Sequence, residues 1–165
     1  MSLNRRTLIT AATAAAATPL LPRRGRAQGQ TIKIGVLNDQ SGPYRDTTGI
    51  GSFVCAKQGA EEFGNGHGFA VEVVTADHQN KPDVGAAIVR RWFDRDGVDV
   101  VLDVPTSSVA LAIAAVAKEK NKVFVNSGGG TADLTGVQCT PNTVHWTYDT
   151  YMLARSTATQ LVKLG

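Results

Sequence analysis

The chain of 165 residues is poor in the residues that do chemistry: it has two cysteines, Cys55 and Cys139, and three histidines, His67, His78 and His145. Neither cysteine has the spacing of a metal site. The histidines are scattered, His67 in a glycine-rich loop and His145 in a predicted strand, with no fourth ligand or regular spacing to make a zinc centre. Nucleotide signatures are missing too. Gly49-Ile50-Gly51 lacks a third glycine and does not follow a strand directly, and no Gly-Lys-Ser/Thr follows Gly128-Gly129-Gly130. There is no Gly-x-Ser-x-Gly elbow for a serine hydrolase. Neither an enzyme nor a resident cofactor or metal is therefore expected.

Acidic residues are absent from the first 27 positions, which hold Arg5, Arg6, Arg23, Arg24 and Arg26. Five of the seventeen basic residues thus sit in this stretch, leaving twelve against fourteen acidic ones and a net charge of −2 beyond it. The remainder has no basic stripe with interleaved aromatics, so nucleic acid is excluded as a partner. A basic start, an apolar Ala-rich run from Leu8 to Leu21 and a polar stretch leading to small Ala27 give the three-part build of a secretory signal. The run is broken by Pro19 and falls short of the about 20 residues that cross a bilayer. The Arg5-Arg6 pair followed by Leu8 is similar to a twin-arginine signal. Residues 1–27 are predicted to be removed after Ala27, placing the rest in the periplasm; the alternative is an uncleaved membrane anchor. An oxidising compartment permits a Cys55–Cys139 pair, whereas Cys55, among apolar neighbours of a helix, equally suits a buried inert thiol.

Hydrophobic residues make up 42% and charged ones 19%, ordinary for a globular domain. Short β-branched runs alternate with longer amphipathic ones. Strands are predicted at 31–38, 69–77, 98–104, 123–126 and 143–146. Helices are predicted at 49–63, with Ile50, Phe53, Val54, Ala60 and Phe63 on one face, then at 81–96, 109–121 and 149–164. Ser107 or Ser108 is expected to cap the third helix. Strand and helix alternating at this spacing predict βαβ units: an α/β fold with an open parallel sheet flanked by helices.

Ligands of such sheets bind beyond the carboxyl ends of the strands. The segments there are rich in hydroxyls, glycines and tyrosines. Thr106, Ser107 and Ser108 place hydroxyls and free N–H groups at a helix start, a site for an anionic oxygen as well as a cap. Gly129 and Gly130 allow close backbone approach, and Thr131 adds a donor. Tyr44, Tyr148 and Tyr151 can wall a cleft with apolar rings and polar tips.

Several motifs, in order, resemble the substrate-binding proteins of ABC transporters of the branched-chain amino acid type. They are I-K-I-G-V-L-N-D-Q-S-G-P-Y, A-D-H-Q-N-K-P-D-V-G, D-V-P-T-S-S-V-A, V-N-S-G-G-G-T-A-D-L-T and P-N-T-V-H-W-T-Y-D-T-Y. The resemblance runs from Thr31 to Gly165 and implies a two-lobed receptor, monomeric at full length, that closes over its ligand and docks on a membrane permease. It implies that Ser107 or Ser108 and Thr131 hold the ligand carboxylate. The family's usual Ala-Ala-Thr is here Gly129-Gly130-Thr131, which leaves room and flexibility. The A-D-H-Q-N-K-P-D-V-G segment is similar to a branch that takes aromatic carboxylates. Members are longer, and on that pattern residues 28–146 are part of a first lobe while 147–165 are the crossover and first helix of a second. The sequence is thus expected to be a fragment or truncated reading frame, poorly stable alone because its last helix lacks the surface it should cover. The rival reading is the extracellular ligand-sensing domain of a signalling receptor, which shares the fold.

Overall fold

The computed structural model describes residues 30–64 and 68–165; the proposed leader and His67 lie outside them. Its strands are β1 (Gln30–Asn38), β2 (Phe69–Asp77), β3 (Val100–Asp103), β4 (Val123–Asn126) and β5 (Thr143–His145). Its helices are α1 (Gly49–Phe63), α2 (Pro82–Arg91), α3 (Ser107–Lys120) and α4 (Thr150–Leu164). The strands form one sheet in the order β2-β1-β3-β4-β5, every pairing parallel, as the alternation predicted. All five carboxyl ends therefore lie along one edge, and the order reverses between β1 and β3, the place where such sheets open a crevice.

The two faces are covered unequally. Leu37, Val101 and Phe124 point to the side of α2 and α3, where Val89, Trp92, Val109, Ile113 and Val116 complete a fully buried core. α3 supplies Ala110, Ala114 and Ala117 to this core, small side chains that bring the helix close to the sheet. Two glycines make the packing possible. A Cβ on Gly35 would stand 2.5 Å from the Trp92 ring, and one on Gly85 would stand 2.8 Å from a Val109 methyl. Gly35 is thus a notch in β1 for an indole.

The opposite face carries α1 over β1 and β2. Its more sheltered positions are Ser52, Phe53, Ala56, Gly59 and Ala60, a helical stripe of mostly small residues. This corrects the predicted face: Ile50 and Val54 are exposed, and so is Phe63. The face was mis-set because counting large apolar residues weights them above the small ones that fit a close helix–sheet contact. Cys55 is exposed as well, which overturns the buried-thiol reading; it and Cys139 are both free.

Element ends follow local chemistry. Pro82 opens α2 with Asp83 in its first turn, where a missing N–H and a negative charge both suit the helix start. One continuous helix to Asp96 was expected; instead α2 widens into a π turn over Trp92–Asp96, closed by left-handed Gly97 (φ 71°). β5 ends at His145, one residue early. Asp149 caps α4 by accepting the Met152 N–H at 2.6 Å, and no residue of α4 is buried.

At the amino edge, Asp99 clamps the central strands by accepting the Lys33 N–H at 3.0 Å and the Lys122 ammonium at 3.1 Å. The Lys33 amide, more than the burial that opposes it, then Lys122, holds this carboxyl below its usual range. Stability from Asp99 is therefore fully present above about pH 4 and lost as pH falls through the depressed folded value. Asp99→Asn lowers the denaturation midpoint at pH 7 and flattens the acid-side loss; an unchanged acid slope contradicts the clamp. Gly35→Ala costs about 1–3 kcal/mol through overpacking against Trp92. Gly51→Ala, which meets nothing within 4 Å, stabilises α1 by up to about 1 kcal/mol. Urea denaturation of the two variants reads both, and equal effects would contradict the notch.

Candidate ligand-binding edge

The last rung of the sheet is polar. In register, Asp77 faces Asn38, Asp103 faces Asn126, and Asn126 faces His145. Asn38, Asp39, His78, Asp103 and Asn126 are all buried. Buried polar groups are nearly always hydrogen-bonded, yet His78 Nε2, Asp103 Oδ2, Asn126 Oδ1 and His145 Nε2 have no partner among the described residues. These atoms all lie at the carboxyl ends of strands, on residues that end or directly follow β2, β3, β4 and β5.

The β1 loop is pinned by two carboxylates. Asp39 accepts the N–H groups of Gly42 and Tyr44 at 2.8 and 3.0 Å. Asp77 accepts the N–H groups of Gln40 and Gln79 and the Ser41 hydroxyl, at 3.0, 2.7 and 2.6 Å. Burial pushes the Asp77 carboxyl up, but Ser41 and the two backbone amides outweigh it and hold the group below its ordinary value. Tyr44 is thus fixed by its backbone while its ring stands 42% exposed.

The β3 and β4 loops are locked together. Asp103 and Val104 both have left-handed backbone, φ 79° and 62°, a conformation that costs roughly 1–3 kcal/mol for each such residue. The buried Asn126 amide donates to both of their carbonyls, at 3.1 and 2.9 Å, and the Ser127 hydroxyl donates to the Asp103 carboxylate at 3.1 Å. Gly128 and Gly129 seat the second loop on the first: added Cβ atoms would stand 2.9 Å from Pro105 Cα and 2.9 Å from Ala110 Cβ. Gly129 therefore serves packing, not the room and flexibility expected of it.

This contact joins the loop after β4 to the start of α3. Thr106, not a serine, occupies the cap position of α3, and its side chain makes no capping bond, so the predicted serine cap is replaced. Thr106 instead donates its hydroxyl to Asn80 Oδ1 at 2.7 Å. Ser107 and Ser108 form the first turn, and neither hydroxyl is engaged by another described residue. The Thr131 hydroxyl accepts the Asp133 N–H at 3.2 Å, which leaves its own proton to donate. The Gly130 carbonyl accepts the Thr150 N–H at 2.6 Å, and the Tyr148 ring lies on Gly130, 3.2 Å from where a Cβ would be. The β4 and β5 loops are thereby joined. Tyr151 stands apart on α4, 61% exposed, its hydroxyl accepting from Arg155 at 2.6 Å. The arrangement can hold an anionic group against hydroxyls and a helix start. A surface pocket between α1 and the sheet reaches this edge at Asp103 and Ser127. Sequence reasoning missed Asn126 and Asp103; a polar residue ending each apolar strand was the available signal.

Comparison with known proteins agrees with this fold. A periplasmic binding protein from Burkholderia mallei is 44% identical, with a TM-score of 0.77 over 82% of this chain and 36% of that one. A branched-chain amino acid ABC transporter periplasmic ligand-binding protein from Burkholderia xenovorans is 34% identical, TM-score 0.73, over 80% and 36%. An ABC-transporter solute-binding protein from Rhodopseudomonas palustris in complex with 4-hydroxybenzoate shares the fold at 23% identity, TM-score 0.67, over 79% and 36%. The chain thus spans about a third of the length of these relatives. No curated protein sequence matches it significantly. Residues 31–165 match the family model described as periplasmic binding protein, and the chain belongs to that family.

Proposed function

We propose that this chain forms a solute-capturing lobe of an extracytoplasmic receptor that delivers a small carboxylate or amino acid to an ABC-transporter permease. The observation that carries the reading is that the loop bearing Thr131 packs, through Gly128 and Gly129, on the start of the helix that bears Ser107 and Ser108. A carboxylate seated there receives charge-assisted hydrogen bonds and the positive end of the helix dipole. Tyr148, resting on Gly130, supplies an apolar wall for the body of the solute, with Tyr44 further along the edge on the loop after β1. The relatives named above are binding proteins, one of them of an ABC transporter, which supports capture rather than catalysis. An aromatic carboxylate suits the tyrosine wall, and the 4-hydroxybenzoate held by a relative of the same fold makes that acid the first probe.

In this reading residues 1–27 export the protein to the periplasm by the twin-arginine route. Residues 28–146 are part of the first, ligand-binding lobe, and 147–165 are the crossover and first helix of a second lobe that completes the cleft. A single lobe offers half the contacts, so its affinity is weak, about millimolar, near 4 kcal/mol.

Titration of the 15N-labelled chain with 4-hydroxybenzoate and with leucine tests this. The amides of Ser107, Ser108 and Thr131 shift saturably with at least one of them. Ser108→Ala combined with Thr131→Ala removes two charge-assisted bonds and weakens binding by about tenfold or more. Unchanged affinity in the double variant removes the proposed roles. Micromolar binding by the single lobe contradicts the need for a second.

A further inference from the structure

His78 follows β2 directly and is wholly buried. Its backbone is held on both sides: its N–H donates to the Asn38 carbonyl and its own carbonyl accepts the Lys81 N–H, each at 2.9 Å. Its ring does something more specific. Nδ1 accepts the Asn80 backbone N–H at 3.0 Å, which requires an unprotonated Nδ1 and places the ring proton on Nε2. That bond reaches over Gln79 and Asn80, two consecutive residues with left-handed backbone, φ 53° and 55°. Asn80 in turn offers Oδ1 to the Thr106 hydroxyl. Thr106 precedes Ser107 and Ser108, and its single hydroxyl proton is spent on Asn80, so it is not a free donor for a ligand. The His78 ring, the Asn80 backbone N–H and side-chain oxygen, and the Thr106 hydroxyl form one line from the end of β2 to the start of α3.

We propose that His78 is a positioning residue for the binding edge: its neutral ring holds Asn80, Asn80 holds Thr106, and Thr106 sets the Ser107–Ser108 turn, so that protonating His78 releases the turn. This inference rests on the reading of that turn as the ligand's anion site. An imidazolium donates from both nitrogens, and an Nδ1–H would meet the Asn80 N–H head on. The groups around the ring compete over this step. Burial, the larger effect, disfavours the charged ring, while the carboxylates of Asp39, Asp77 and Asp103 favour it; the balance lowers the His78 pKa below its ordinary value. α2 faces the ring's stem with uncharged Gly85, itself packed against Val109 of α3. The turn is therefore held at neutral pH and loosens on acidification below the usual histidine range.

Two variants separate the ring's shape from its titration. In His78→Asn the side-chain oxygen can accept the same N–H two residues on, as asparagine does in turns, and it does not titrate. His78→Leu removes the acceptor. Backbone amide shifts of the 15N-labelled chain are followed from pH 8 to pH 5. In the parent, Asn80, Ser107 and Ser108 move together with one midpoint below about 6.5, while Val116 within α3 stays put. His78→Asn abolishes that shared titration, and His78→Leu, where folded, shows the acid-form shifts already at pH 8. The proposal is overturned if Ser107 and Ser108 do not follow Asn80, if His78→Asn titrates like the parent, or if the ring nitrogens show the proton on Nδ1 at neutral pH. None of these measurements needs a ligand, so their failure strikes the positioning role alone. Loss of 4-hydroxybenzoate binding at every pH, with the amide titration intact, strikes the ligand reading instead.

Discussion

The carboxyl edge of the sheet depends on how the β4 loop is seated on the β3 loop. Asn126, at the end of β4, turns its amide inward and donates to the carbonyls of Asp103 and Val104. Those two residues carry left-handed backbone without being glycine, and conformations of that kind persist only where surroundings over-determine them. Gly128 and Gly129 let the second loop lie directly on Pro105 and Ala110. Without these contacts the Thr131 loop and the α3 start would be separate surface features. With them, the loop bearing Thr131 is packed on the start of α3.

Much of the architecture was legible in the sequence because binary pattern and turn chemistry agreed. Phe69–Asp77 and Val123–Asn126 are the strands that β-branched runs between breakers predict, and α1 spans the expected Gly49–Phe63. Parallel pairing followed from strand and helix alternation. What was hidden is of another kind. The inner stripe of α1 is made of small residues that carry little hydropathy, so Ile50 and Val54 drew attention to the wrong side. Gly129 reads in sequence as freedom and proves to be a packing residue. Thr106 looked like one more ligand hydroxyl, but its proton belongs to Asn80, which lies 26 residues earlier in the chain. Such commitments depend on tertiary neighbours, and local pattern does not encode them.

Stability and function are divided between the faces and the edge. The α2–α3 side carries the buried core, with Trp92 in its notch at Gly35 and alanines drawing α3 onto the sheet. The α1 side is thinner, leaving Val123 and Val144 partly uncovered, and α4 stands free of the core. The carboxyl edge concentrates buried aspartates, asparagines and a histidine whose side-chain hydrogen bonds shape single loops, as at Asp39 and His78, or tie two together, as at Asn126. Such an arrangement favours precise placement of the loops over close packing.

The most direct test is a crystal structure of the protein with a bound carboxylate such as 4-hydroxybenzoate. The account predicts carboxylate oxygens within about 2.5–3.0 Å of a Ser107 or Ser108 hydroxyl and of the Thr131 hydroxyl, the range of charge-assisted hydrogen bonds. A carboxylate bound at the amino edge of the sheet, or at this edge with both hydroxyl groups out of reach, would contradict it.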